Sequence, residues 1–168
     1  MKQWIAALLA CCIMLLIVGC NKKEPVEEGP VFYYCAAELK FGMENQAILF
    51  EHRADAQNRT TAEVLNLYLA GPKSEGLRSP FPSGLKLMEV RSEEGTLFIT
   101  LSSALAELSG LELTMVCCCL SLTGMELTGA QQVTISAEGA LLNGQKSITM
   151  DKDSLLLLDT VLEGDQLP

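Results

Sequence analysis

Basic residues, histidine and long apolar runs are all scarce in this chain, and each shortage excludes something. Lys and Arg together number 12 against 21 Asp and Glu, a formal net charge of -9. Such a surface repels phosphate backbones, which proteins hold largely through Lys and Arg, so a nucleic-acid partner is excluded. It repels anionic lipid headgroups as well, so electrostatics alone would not keep this chain at a membrane. There is one histidine, His52, no Gly-x-Ser-x-Gly elbow and no Cys-x-x-Cys. That leaves little material for a nucleophile–base pair or for a closely spaced zinc site. No catalytic residue, metal ligand or cofactor is assigned from the sequence, and the chain reads as non-enzymatic. The longest apolar run, Trp4 to Val18, falls short of the roughly 20 apolar residues that a spanning helix needs.

What that run does have is the build of an export signal. Lys2 supplies a positive start, the apolar stretch follows, and Leu16-Ile17-Val18-Gly19-Cys20 closes it. The last residues resemble the bacterial lipobox, in which a small residue precedes a cysteine that is acylated on sulfur before cleavage. Only a thiol can form that thioether, so Cys20 is the expected lipid-attachment residue. Residues 1–19 are then a signal peptide, and the rest of the chain sits on the extracytoplasmic face of a membrane. Each buried CH₂ contributes about 0.8 kcal/mol, so two or more acyl chains anchor stably where one is marginal. Residues 20–30 form the lipidated cysteine and a charged, proline-bounded tether. Fully extended, it reaches no more than roughly 35 Å.

From Val31 to about residue 160 the pattern is that of one small domain, followed by a tail at 161–168. Val31-Phe32-Tyr33-Tyr34-Cys35 and Gln46 to Glu51 read as strands. Thr60-Thr61-Ala62-Glu63 has capping-box spacing and opens a helix that stops at Gly71-Pro72. Lys73 to Gly84 is a Pro/Gly/Ser loop, and Leu85 to Leu101 a hairpin turning at Ser92 to Gly95. Leu85 and Leu87 face one side of its first arm and Met88 and Val90 the other, so that arm is buried on both faces or bulged. Ser109-Gly110-Leu111-Glu112 repeats the capping-box spacing before a second helix, expected to end near Thr123-Gly124. Gln132 to Glu138 is a strand, and a turn at Asn143-Gly144 leads to a last apolar run, Leu155 to Leu158, with Asp151-Lys152-Asp153 as the turn before it. The order ββ-α-ββ-α-β-β predicts an α+β fold, a two-layer sandwich of a mixed or antiparallel sheet with two helices on one face.

Two groups carry candidate chemistry. Glu51-His52-Arg53-Ala54-Asp55 reads as a solvated strand end, and acidic residues in general as solvated faces. Cys117-Cys118-Cys119 cannot close a tetrahedral site, because successive helical residues point about 100° apart. These thiols read as small apolar packing groups, with a disulfide from one of them to Cys35 as the alternative.

Leu67-Tyr68-Leu69-Ala70-Gly71-Pro72, then Glu75 to Pro80 and Phe81-Pro82-Ser83-Gly84-Leu85-Lys86-Leu87, resemble the GerMN domain of sporulation and spore-germination envelope proteins. Gly95 to Ser102 and Val133 to Gly139 fit its later strands. The chain departs from the family pattern at Phe81, Leu85 and Thr100, where isoleucine, threonine and aspartate are usual. The resemblance implies a fold similar to ring-building modules of secretion-like assemblies, and no catalytic residues. It implies an interaction module in an envelope complex, with other membrane-anchored proteins as partners and the bilayer reached through Cys20. Arg78 and Phe81, in the family loop, are the candidate contact residues. A binding module for a cell-wall fragment or small ligand is the alternative.

Overall fold

A computed structural model describes residues 29–38 and 47–155. The expected signal peptide, Cys20, nearly all of the tether and the tail lie outside the described residues, as do Leu156 to Leu158.

The first sheet has strand order β2-β1-β3, from β1 (Val31–Ala36), β2 (Ile48–His52) and β3 (Leu77–Arg78), all antiparallel. The second has order β4-β5-β6-β7, from β4 (Leu87–Glu93), β5 (Thr96–Leu101), β6 (Gln132–Ala137) and β7 (Ser147–Asp151). Within it β5 and β6 run parallel and the other pairs antiparallel. The expected α+β sandwich with antiparallel and mixed pairing therefore holds, its strands divided between two sheets.

The two helices are α1 (Thr61–Leu69) and α2 (Gly110–Thr128). Thr60 caps α1 with the reciprocal bonds its spacing implies: the Thr60 N–H donates to Glu63 Oε2 at 2.8 Å, and the Glu63 N–H donates back to Thr60 Oγ1. Gly71, at φ +99, turns the chain out of the helix, and Pro72 cannot continue it. The second box does not form. Gly110 enters α2 at φ +54, and the Ser109 side chain makes no capping bond.

α2 also runs past its expected stop, to a left-handed cap at Gly129. Gly124 sits inside the helix because the second sheet comes too close for a side chain. A Cβ there would lie 2.8 Å from Leu97 Cδ2 and 3.3 Å from Val133 Cγ2. One residue earlier, Thr123 faces the first sheet, where its Oγ1 accepts the Tyr33 N–H at 3.0 Å. Adjacent residues thus touch different sheets, and α2 is covered on both sides. That is why Cys117, Cys118 and Cys119 are all buried although they point in different directions around the helix.

The division into two sheets has a local cause at Tyr33. Cys35 pairs with Arg78 on β3, and that register carried on would set Pro80, which has no N–H, opposite Tyr33. No strand continues there. Thr123 takes the Tyr33 N–H, and the Tyr68 hydroxyl donates to its carbonyl. Two side chains from two helices close the edge.

The hairpin forms with a two-residue turn at Glu94 and Gly95, both at positive φ. Of its two open readings the bulge is realised: register shifts between Leu87 and Glu89, and Met88 is left 46% exposed. The last described strand ends on Asp151 rather than following the turn at Asp151-Lys152-Asp153. Ile148 and Met150 pair opposite Ile135 and Val133, and Asp151 Oδ1 then accepts the Ser154 N–H and hydroxyl.

Candidate functional site

The charged groups that converge in this domain lie at the end of β2. Glu51 and Arg53 are 6% and 5% exposed, which corrects the reading of this stretch as a solvated strand end. Residues two apart on an extended chain point the same way, so Glu51 and Arg53 enter the same side of the fold while His52 points elsewhere. A buried carboxylate or guanidinium costs several kcal/mol unless its hydrogen bonds are supplied.

Here they are supplied by the loop that leaves α1. Glu51 accepts the N–H of Lys73 at 3.1 Å to either oxygen and the N–H of Ser74 at 2.8 Å. Arg53 Nη1 reaches Glu51 Oε1 at 3.2 Å and the Gly71 carbonyl at 3.3 Å. The other edge of its fork grips Asp55, Nε to Oδ1 at 2.8 Å and Nη2 to Oδ2 at 3.1 Å. Lys73 Nζ adds an ion pair to Asp55 at 2.8 Å, and the guanidinium lies 5.3 Å from the Phe32 ring centroid. Burial opposes the Glu51 charge, but the hydrogen bonds from Ser74, Lys73 and Arg53 outweigh it and hold its pKa below the usual range. Arg53 and Lys73 hold Asp55 well below its own. The Arg53 pKa moves up, chiefly through its bonds to Asp55. The arrangement is a clamp: Glu51 and Arg53 fix the backbone at Gly71, Lys73 and Ser74, and Asp55 braces the Arg53 and Lys73 side chains.

Beyond the clamp the loop contributes β3 to the first sheet. The two expected contact residues part company there. Arg78 is exposed on β3, opposite Cys35. Phe81 is half-buried, with its ring edge-on to Tyr68 at 4.9 Å and to Tyr34 at 6.4 Å, so it anchors the loop. Phe50, at 57%, and Met88 are exposed apolar side chains on the edge strands β2 and β4. His52 lines an open groove of about 390 Å³ with Gly29, Pro30, Val31, Glu126 and Leu127, and its Nδ1 lies 3.3 Å from the Gly29 carbonyl.

Cys35, Cys117, Cys118 and Cys119 are free thiols. Burial pushes Cys117 up to about 12 and Cys118 up to about 11. Among the described residues no group of His, Cys, Asp and Glu is arranged to hold a metal ion.

Sequence reasoning missed Glu51 and Arg53. The available signal was their opposite charge at strand spacing, one step either side of His52.

The fold is an α+β sandwich whose converging charges are engaged in fixing one surface loop. Residues 32–143 match the Germane family, described as sporulation and spore germination, and the chain belongs to that family. The GerMN-type domain that the Leu67 to Pro72 and Phe81 to Leu87 segments resemble is therefore present. No curated protein and no solved structure matches the chain.

Proposed function

We propose that this chain is a lipid-anchored, non-enzymatic interaction module on the extracytoplasmic face of a membrane, acting in an envelope complex during sporulation or germination. The observation that carries this reading is the Glu51–Arg53–Asp55 clamp. Its hydrogen bonds go to the backbone of residues 71–74 and to one another, which leaves them committed to holding a loop in place. A loop held this way presents Arg78 in a fixed position, and fixed loops on a rigid scaffold are where such folds make contacts. The β4 edge beside the hairpin bulge, with Met88 exposed, is a further candidate contact. The Germane family description supplies the biological setting.

The tether supports the same reading. Held by acyl chains on Cys20, the body would remain within roughly 35 Å of the bilayer. Confinement raises the local concentration of other anchored proteins, so weak interfaces suffice. The test is in-cell cross-linking followed by membrane purification of the wild-type chain and of Cys20→Ala. The wild-type chain should be processed, carry lipid label and bring down a defined set of membrane-anchored proteins. Cys20→Ala should stay an unlabelled precursor and lose that set. Equal processing, labelling and recovery in the two would refute the anchoring, and an enzymatic turnover by the purified chain would refute the non-enzymatic reading.

A further inference from the structure

We propose that Cys35 on β1 and Cys119 on α2 are a disulfide-forming pair that locks the second helix to the first sheet. The geometry starts at Thr123, which accepts the Tyr33 N–H at 3.0 Å and fixes where α2 passes the edge of β1. One helical turn back along α2 is a step of about 6 Å. Two residues forward along β1 span about 6.6 Å. The steps match, and at the other end of the same line Glu126 and Leu127 share a groove with Val31, so α2 and β1 run in opposite senses and Cys119 comes to lie beside Cys35. Cys118 and Cys117 are turned from that line by about 100° per residue. Of the four cysteines among the described residues, Cys35 and Cys119 are the two that fall on that line.

The contact also sets which sulfur reacts first. The Cys119 thiol donates to Cys35 and lowers its pKa against the effect of burial, and Arg78, its cross-strand neighbour, lowers it further. The Cys119 thiol is pushed up by the same hydrogen bond and by burial. Of the two, Cys35 therefore ionises the more readily and Cys119 keeps its proton the longer.

The oxidant class that fits is a small disulfide. The Cys35 thiolate attacks one of its sulfurs, forming a mixed disulfide and expelling one thiolate, which takes the Cys119 proton. Cys119 then attacks the Cys35 sulfur, and the second small thiolate leaves and is protonated by solvent with the remaining proton. Two protein thiols are oxidised and one small disulfide is reduced to two thiols. Cys35 is 3% exposed, and β3 beside it is only two residues long, so opening of that strand admits the oxidant. Closing the bond ties residues far apart in sequence and restricts the unfolded chain.

The test uses the full chain, folded, incubated with oxidised glutathione, then unfolded, alkylated and peptide-mapped. The expected result is loss of two hydrogens, a peptide joining Cys35 to Cys119, alkylated Cys117 and Cys118, and a higher thermal midpoint that reductant reverses. The double variant Cys117→Ala, Cys118→Ala should form the same link. Cys35 and Cys119 both recovered alkylated from oxidised, folded protein would overturn the proposal. So would a link from Cys35 to Cys117 or Cys118.

Discussion

The phenol of Tyr68 donates to the carbonyl oxygen of Tyr33 at 2.6 Å, joining α1 to a strand 35 positions earlier in the chain. Burial pushes that phenol up, so it stays an O–H donor across the ordinary pH range. The bond, with Thr123 on the N–H of the same residue, satisfies the stretch of β1 edge that β3 does not reach. Tyr68→Phe keeps the ring against Phe32 and Tyr34 but leaves the carbonyl without its donor. It should cost about 1–3 kcal/mol. Thr123→Val should cost a similar amount and Thr123→Ser much less, all read from urea unfolding. Equal stability of Tyr68→Phe and wild type would show that the edge needs no cap.

Gly124→Ala sets two effects against each other. Alanine in a helix interior gains about 1 kcal/mol over glycine. The added methyl would meet Leu97 Cδ2 at 2.8 Å and Val133 Cγ2 at 3.3 Å, where both side chains are fully buried. Overpacking of this kind costs typically about 1–3 kcal/mol. Net destabilisation is the expected outcome in thermal unfolding, and a stabilised variant would place α2 farther from the second sheet.

The clamp makes a prediction about acid. The pKa values of Glu51 and Asp55 are depressed in the folded state, so their contribution is fully present above the ordinary carboxylate range. As pH falls below about 4, through that range and towards the lower folded values, the unfolded chain takes up protons first and stability is lost. Urea midpoints measured between pH 7 and pH 3 should fall at the acid end. Glu51→Gln should be less stable at pH 7 and lose less on acidification. A Glu51→Gln profile parallel to wild type would remove Glu51 from the clamp.

How much of this could be read from the sequence depended on how local each signal was. Thr60 and Glu63 cap α1 through atoms three residues apart, and their spacing was sufficient. Gly124 carries the same mark as a helix stop, because a glycine that ends a helix and one that admits a neighbouring sheet look alike. Leu97 and Val133 decide between them. Glu51 and Arg53 looked solvated because the partners that bury them, Gly71 to Ser74, lie about twenty positions on. The strand Ser147–Asp151 is hard to read because Ile148 and Met150, its apolar residues, are outweighed by the leucines that follow. The fold class needed only the coarse order of periodic segments, although β3 lies unmarked inside the Pro/Gly/Ser loop. Of the two expected contact residues, Arg78 kept its exposure. The Phe81 ring turned inward to Tyr34 and Tyr68, which no local pattern specifies.

The central claim is that this domain works by contact through the loop that the clamp holds, and Arg78 gives the most direct access to it. Arg78→Ala removes an exposed side chain and should leave stability within about 0.5 kcal/mol of wild type. Phe81→Ala, by contrast, should cost about 1–3 kcal/mol through lost packing on Tyr68 and Tyr34, and serves as the control for mere destabilisation. The measurement is quantitative recovery of in-cell cross-linked partners for wild type and Arg78→Ala at equal membrane abundance. Recovery should fall several-fold with an unchanged thermal midpoint. Full recovery of the same partners by Arg78→Ala would contradict it.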